Sequence, residues 1–208
     1  SVPFDSLKYL EITKDYKGPW DYERIKGQKV VRKQILSDDF TPKSNKNYTY
    51  NIYHHKLKNI AQVISEIGFK YTKTAPAVVG LVEVENRQVV EALTQQDDLK
   101  KYDYGVVHYN SFDARGIDVA LIYQKKRFTV TNSYKKELVL FREDGKREYT
   151  RDLLVVSGIL DGEKVAFLVN HWPSRRGGEA VSMPKRNAAA VLLKQEMDAL
   201  REKNPNIK

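Results

Sequence analysis

One histidine of this chain stands at the end of an apolar run and directly before a cationic loop. Residues 165–169, V-A-F-L-V, are short, apolar and β-prone, which predicts a buried strand that delivers Asn170 and His171 at its end. An imidazole followed by two guanidinium groups suits a phosphate ester, because each guanidinium can bind two phosphate oxygens. A lone His before Arg-Arg is more often a hydrogen-bonded strand end with a solvated loop. The pattern alone therefore leaves both interpretations open.

The loop after His171 has the composition of an anion-binding segment. Trp172 and Pro173 end the predicted strand, and the residues that follow are Ser174, Arg175, Arg176, Gly177 and Gly178. Paired glycines allow the backbone to approach an anion closely. Strand ends that lead into loops are common places for the chemistry of α/β proteins.

The elements that must position these residues are mainly short strands. β-prone runs at residues 77–84, 104–108, 117–123, 128–131, 138–141 and 153–160 predict further strands. Asp161 and Gly162 join the run at 153–160 to the run at 165–169 as a hairpin, so we expect these two strands to be antiparallel. Arg151 stands just before this hairpin. It is a further candidate for phosphate contact because the partner strand carries His171.

Three stretches predict helices. Apolar residues recur at helical spacing from Leu57 to Ile67, and Gly68 is the stop. Asn86 can cap a short helix that runs to about residue 93. A long helix with a core-facing apolar stripe opens at Ser182 and Pro184 and ends near residue 204.

Carboxylates and further histidines flank the predicted strands. Glu83 and Glu85 share a face if their strand continues that far, and Glu85 is interpreted as a solvent-facing charge or as a partner for a nearby Lys. Asp118 has two equal interpretations: it orients His171 by accepting a ring N–H, or it pairs with Arg115. His108 is interpreted as a strand-end residue rather than as part of a substrate groove. Adjacent helix residues point to different sides, so His54 and His55 are not expected to share a metal ion.

The composition limits the class of protein. The chain has 208 residues, a formal charge of +9 and a pI near 9.4, which favours polyanionic partners or simply aids solubility. It has no cysteine, which excludes disulfides, thiol catalysis and Cys-ligated zinc. No apolar run is long enough to span a membrane. We expect a monomer, and secreted, periplasmic and cytoplasmic locations stay open with a slight preference for secretion.

Three ordered sequence blocks resemble one known family. The string N-H-W-P-S-R-R-G-G-E at residues 170–179, followed by Ser182, Arg186, Ala188 and Ala189, resembles the endonuclease/exonuclease/phosphatase family of DNase I-like, metal-dependent phosphodiesterases. The blocks V-V-G-L-V-E-V-E-N at 78–86 and R-G-I-D-V-A-L-I-Y at 115–123 resemble two of its core strands. The resemblance covers roughly residues 38–208. Residues 1–37 match poorly and lack the Asn that the family places near its metal.

The resemblance implies a fold and a set of site residues. The fold is an α/β four-layer sandwich, with two mainly antiparallel sheets face to face and helices outside, formed by residues 1–208 as the N-terminal portion of one domain. Glu83 would hold Mg²⁺ or Mn²⁺, because a hard carboxylate suits an ion that keeps several waters. The implied catalytic residues are His171, Asn170 and Asp118. The candidates for phosphate binding are Arg175, Arg176, Ser174, Arg151 and Arg115.

The implied activity is metal-dependent hydrolysis of phosphodiesters, with nucleic acid as the expected substrate. The family's Gly-Asp-Phe-Asn and Ser-Asp-His blocks do not occur in this sequence, so we expect the chain to be incomplete at its C-terminal end. Two alternatives stay open. One is a non-catalytic module that binds polyanions, and the other is a phosphatase that acts on a lipid or a small phosphoester.

Overall fold

The computed structural model describes residues 42, 45–113, 116–175 and 177–208, together with the backbone of 9–13 and 30–35. The strands are β1 Tyr9–Thr13, β2 Val30–Ile35, β3 Val78–Val84, β4 Tyr104–His108, β5 Asp118–Gln124, β6 Phe128–Lys136, β7 Leu140–Phe141, β8 Arg147–Glu148, β9 Leu153–Leu160 and β10 Glu163–Val169. The helices are α1 Tyr50–Glu66, α2 Phe69–Thr72, α3 Arg87–Thr94, α4 Asp97–Lys100 and α5 Glu179–Lys203.

Two three-stranded antiparallel sheets form the centre of the fold. The first has the order β3-β5-β4 and the second has the order β10-β9-β6. The predicted hairpin between β9 and β10 is confirmed, with Leu160 opposite Glu163. The pairs β1-β2 and β7-β8 are separate antiparallel ribbons. The mainly antiparallel architecture that the sequence predicts is therefore confirmed.

The inner faces of the two sheets pack against each other. Val119 and Leu121 of β5 point into this core and Ala120 and Ile122 point out of it, because successive strand residues alternate between faces. The inner cluster also contains Val107, Phe128, Leu154 and Val156. A Cβ added at Gly80 of β3 would lie 3.4 Å from Val169 of β10, which shows how closely the sheets approach.

Helices cover the two outer faces. Leu57, Ala61 and Ile64 of α1 pack with residues of α3 and α4 on the outer face of the first sheet. On the second sheet, the Tyr134 hydroxyl of β6 donates to Glu196 of α5 at 3.0 Å. The order of layers is helix, sheet, sheet, helix, as the four-layer expectation requires. No helix in the described ranges is long and apolar enough to cross a bilayer.

The predicted elements differ from the structure mainly in length. Strand β6 continues to Lys136 instead of ending at residue 131, because it pairs with the whole of β9 while its other face tolerates polar side chains. The strand predicted at 138–141 is reduced to Leu140–Phe141. Helix α5 begins at Glu179, one turn before the predicted start. The cap at Asn86 is as predicted, since its side chain accepts from the backbone N–H of Val89 at 3.0 Å.

The last residue also takes part in the sheet. The N–H of Lys208 donates to Lys164 at 3.0 Å, and its carbonyl accepts from Ala166 at 2.9 Å. This is the bonding pattern of a strand that lies parallel to β10.

Candidate functional site

Most of the predicted site residues that the structure describes lie at one end of the sandwich. Strands β3, β4 and β10 finish at this end, while β5 and β9 begin there, as the pairs Val84 with Asp118 and Val169 with Leu154 show. The polar side chains that follow or precede these strands therefore meet across both sheets. The sequence blocks around residues 83, 118 and 171 lie far apart in the chain, and only the sheet order brings them together.

Glu83 occupies an irregular position of β3. The ladder with β5 shifts register between Val82 and Val84, and Glu83 has a φ of 58°, which is unusual for a residue with a Cβ. Its side chain is 59% exposed. The bulge breaks the strict alternation on which the shared face of Glu83 and Glu85 was predicted. Glu83 is thereby directed to the open end of the sandwich.

Glu85 has a different environment from Glu83. It is half-buried. Burial first, and then the charge of Glu85, raise the pKa of Tyr48 and of Tyr53 above the ordinary tyrosine value. Glu85 is therefore only partly exposed to solvent.

His171 and Glu83 lie next to each other. The Nε2 of His171 is 3.6 Å from Oε1 of Glu83. This separation allows an electrostatic contact when the imidazole is protonated, but it is longer than an ordinary hydrogen bond. The His171 side chain is 24% exposed, so a ligand can reach it from the open end.

Arg151 has a structural role in place of the predicted phosphate contact. Its Nη1 donates to Oδ2 of Asp113 at 2.9 Å, and its Nη2 donates to the carbonyl oxygens of His171 and Trp172, each at 2.9 Å. The residue is 8% exposed, and its Nε is buried without a hydrogen-bond partner among the described residues. The guanidinium therefore faces protein groups and is closed to a phosphate ion.

Asp118 bonds to His108 and Ser111 rather than to His171. Its Oδ2 lies 3.0 Å from Nε2 of His108, and its Oδ1 accepts from the Ser111 N–H at 2.8 Å. The side chains of Asp118 and His108 are 6% and 3% exposed. The buried carboxylate is satisfied by these neighbours, so the expected orientation of His171 by Asp118 is not observed. The other predicted partner, Arg115, lies outside the described residues.

The remaining predicted residues surround the open end. The Asn170 amide nitrogen donates to the Leu168 carbonyl at 3.2 Å. Ser174 and Arg175 are exposed in the loop between His171 and α5. The Arg175 carbonyl accepts from Gly178 at 3.0 Å, and Gly178 has a φ of 95°. Arg176 lies outside the described residues.

The described residues offer few ligands for a divalent metal. Among the described residues, no group of three His, Cys, Asp or Glu side chains could hold a metal ion. An exposed carboxylate such as Glu83 still fits Mg²⁺, which takes one or two carboxylates and keeps several waters. A zinc ion would need three or four protein ligands. The exposed carboxylate of Glu83 therefore fits the sparse coordination of Mg²⁺.

Sequence reasoning missed several polar residues behind the site. Asp113 holds Arg151, and Ser111 holds Asp118, although both lie in a loop without periodic pattern. Asp152 lies next to Arg151, and Lys135 Nζ is 3.1 Å from its carboxylate. Burial raises the pKa of Asp152 to about 6, against the opposing charge of Lys135. A polar residue directly beside a predicted apolar strand was the available signal for Asp152.

Solved structures resemble this chain at low sequence identity. TDP2 from Caenorhabditis elegans is 18% identical with a TM-score of 0.54, over 80% of this chain and 42% of that one. A truncated C. elegans TDP2 is 20% identical with a TM-score of 0.52, over 76% of this chain and 53% of that one. An endonuclease/exonuclease/phosphatase from Bacteroides vulgatus is 16% identical with a TM-score of 0.50, over 75% and 55%. The chain spans about half of these proteins or less, and the likeness shows a shared fold.

A family profile also matches the chain. The profile described as "Endonuclease/Exonuclease/phosphatase family" matches residues 30–208, which is most of the chain. No curated protein sequence matches the chain significantly. The profile match, the four-layer sandwich and the meeting of Glu83 with His171 at one end of it agree with each other. The chain belongs to the endonuclease/exonuclease/phosphatase family.

Proposed function

We propose that this chain forms part of a metal-dependent phosphodiesterase that hydrolyses nucleic acid. The observation that carries the proposal is the approach of His171 to Glu83, with 3.6 Å between Nε2 and Oε1, beside an exposed loop that contains Arg175. A carboxylate, an imidazole and a guanidinium at one open end are groups that can bind and polarise a phosphate ester.

Each residue of the site has its own role in the proposed reaction. Glu83 would hold a Mg²⁺ ion, which when bound stabilises negative charge on the phosphoryl oxygens. His171 donates a hydrogen bond or a proton to a phosphate oxygen from its ring nitrogen. Asn170 and the exposed Arg175 bind the other phosphate oxygens and orient the ester. Arg176 and Ser174 extend this phosphate-binding loop in the sequence.

Charge favours nucleic acid as the substrate. The formal charge of +9 attracts polyanions, and phosphate contacts dominate non-specific binding to nucleic acid. The fold alone does not select this substrate, because one fold carries many activities. A small phosphoester or a lipid headgroup offers the same phosphate with fewer neighbouring charges.

A second candidate is a polyanion-binding module without hydrolytic activity. It is favoured by the formal charge of +9, which attracts polyanions whether or not they are cleaved. Such a module would bind an oligonucleotide equally in Mg²⁺ and in EDTA and would leave it intact. The two candidates therefore differ in a single assay.

The deciding experiment follows a fluorescent single-stranded oligonucleotide in Mg²⁺, in Mn²⁺ and in EDTA. We expect cleavage only with a metal, and we expect Glu83→Ala and His171→Ala each to reduce it by about 10²-fold or more. Glu143→Gln and His55→Ala, which change exposed residues of the same types, serve as matched controls. Cleavage that survives in EDTA, or that continues at full rate in either site variant, contradicts the proposal.

The same preparation separates the alternatives. Binding without cleavage in any metal would favour the polyanion-binding module. Hydrolysis of p-nitrophenyl phosphate together with intact oligonucleotide would favour a phosphatase. Circular dichroism of each variant shows whether a lost activity reflects a lost fold.

A further inference from the structure

Arg151 connects three separate segments at the open end of the sandwich. Asp113 belongs to the loop between β4 and β5, Arg151 precedes β9, and residues 171 and 172 follow β10. The Arg151 guanidinium binds the other two segments through three hydrogen bonds, each of 2.9 Å. It therefore ties the segment that follows β10 to both sheets.

The two accepting carbonyl groups are consecutive in the chain. In an extended strand, successive carbonyls point to opposite sides. The carbonyls of His171 and Trp172 both accept from Nη2 of Arg151, so the chain leaves the extended conformation at these residues. The β10 ladder with β9 ends at Val169, so both carbonyls lie beyond its last paired residue. Arg151 supplies their hydrogen bonds, and Pro173 restricts the backbone of Trp172 from the other side.

The charge of this connection is balanced inside the protein. Arg151 is 8% exposed and Asp113 is 7% exposed, and a buried guanidinium requires a partner of opposite charge. A buried pair of this kind contributes little net stability but fixes geometry, because its bonds are directional. Loss of the Arg151–Asp113 pair should therefore change the position of residues 171 and 172 more than it changes the free energy of unfolding.

We infer that Arg151 is a positioning residue, held by Asp113, that fixes the peptide between His171 and Trp172. Through this peptide it keeps the His171 imidazole beside Glu83 and orients the Trp172 ring, which is 40% exposed in the same segment. The catalytic consequence rests on the proposed function. The structural consequence, a fixed Trp172, does not depend on any activity.

Trp172 provides a direct readout of this positioning. The chain contains two tryptophans, so a Trp20→Phe background leaves Trp172 as the only indole fluorophore. In this background we would measure the fluorescence anisotropy decay of Trp172 for Arg151→Met, Arg151→Lys and Asp113→Asn. We expect greater nanosecond mobility of the ring in Arg151→Met and in Arg151→Lys, because a lysine cannot bond both carbonyls and the carboxylate in the same planar arrangement.

Arg147 offers a matched control. Its guanidinium also binds backbone carbonyls, those of Leu138, Leu140 and Glu148, and pairs with Glu137, but it lies in the β7-β8 ribbon. Arg147→Met should lower the free energy of unfolding without changing the mobility of Trp172. If loss of an arginine loosened the whole fold, the mobility of Trp172 would instead increase in both Arg151→Met and Arg147→Met.

Kinetics supply the second readout. A displaced His171 should reduce kcat by about 10²-fold, since a misplacement of about 1 Å can cost that much. KM should change little, because a positioning residue does not contact the substrate. An increase in KM with an intact kcat would identify Arg151 as a phosphate contact and overturn the inference. Unchanged Trp172 mobility in Arg151→Met would overturn it as well, whereas an inactive wild type would contradict only the proposed function.

Discussion

The Nε2 of His171 lies 3.6 Å from Oε1 of Glu83, and this contact joins the ends of two different sheets. Glu83 belongs to β3 of the first sheet, and His171 follows β10 of the second. The face-to-face packing of the sheets therefore creates the site, since neither sheet contains both groups. Any change that separates the two sheets at this end should also separate these two residues.

The backbone at Glu83 should be strained, because the residue adopts a conformation that favours glycine. A residue with a Cβ at a φ of 58° is less stable than glycine in the same conformation by about 1 kcal/mol. We expect Glu83→Gly to have a higher free energy of unfolding than Glu83→Ala by about this amount, although neither variant should hold a metal. Urea unfolding of the two variants measures the difference directly.

The same comparison can be made at Asp161, which has a φ of 49° in the β9-β10 turn. Asp161→Gly and Asp161→Ala both remove the carboxylate that binds Arg127, so their difference again reports the backbone. Equal stability of the Gly and Ala variants at Glu83, together with a difference at Asp161, would show that the bulge is not strained.

The partners of Asp118 can be established by thermodynamic cycles. We expect Asp118→Asn and His108→Ala to be coupled by about 1 kcal/mol or more, because their side chains are buried and lie 3.0 Å apart. Asp118→Asn and His171→Ala should be additive within about 0.5 kcal/mol. Free energies of unfolding for the single and double variants give both values. Strong coupling of Asp118 to His171, without coupling to His108, would instead support the prediction from the sequence that Asp118 orients His171.

Asp152 should make stability depend on pH in an unusual direction. Burial raises its pKa to about 6 in the folded chain, above the value of 3.8 for a free side chain. The folded state then binds more protons than the unfolded state between these two values. The stabilising contribution of protonated Asp152 is therefore complete at low pH and is lost as pH rises through about 6.

The measurement compares the wild type with Asp152→Asn. From about pH 4 to about pH 8, the wild type should lose up to about 3 kcal/mol of unfolding free energy relative to the variant. Asp144→Asn, at an exposed turn position, is the matched control. A constant difference between the wild type and Asp152→Asn over this range would contradict the raised pKa.

Binding of nucleic acid should depend strongly on salt and on Arg175. For a single-stranded oligonucleotide, each phosphate contact adds about 0.7 to the negative slope of log K against log salt concentration. We expect Arg175→Gln to reduce the slope by about this amount and to weaken binding similarly for all sequences. Arg142→Gln, which changes an exposed arginine of the β7-β8 turn, should leave the slope unchanged. Fluorescence anisotropy titrations at several salt concentrations supply the slopes, and a slope near zero for the wild type would argue against nucleic acid.

Local patterns predicted most of the elements correctly. The runs at 104–108 and 153–160 have the same bounds in the structure, and the cap at Asn86 forms as expected. These features depend on alternation and on side-chain hydrogen bonds within a few residues. The length of β6 could not be predicted in this way, because its polar half is held in the sheet by pairing with β9.

Residue types alone determined which groups could act on a phosphate and that no cysteine takes part. The sequence also determined the family, since three ordered blocks resemble it and its profile matches residues 30–208. Only the tertiary structure decided the partners: His171 lies beside Glu83, Asp118 binds His108, and Arg151 turns inward to Asp113. The physical reason is that buried charges such as Asp118 and Arg151 must have partners that are close in space, and distance along the sequence does not specify which groups are close.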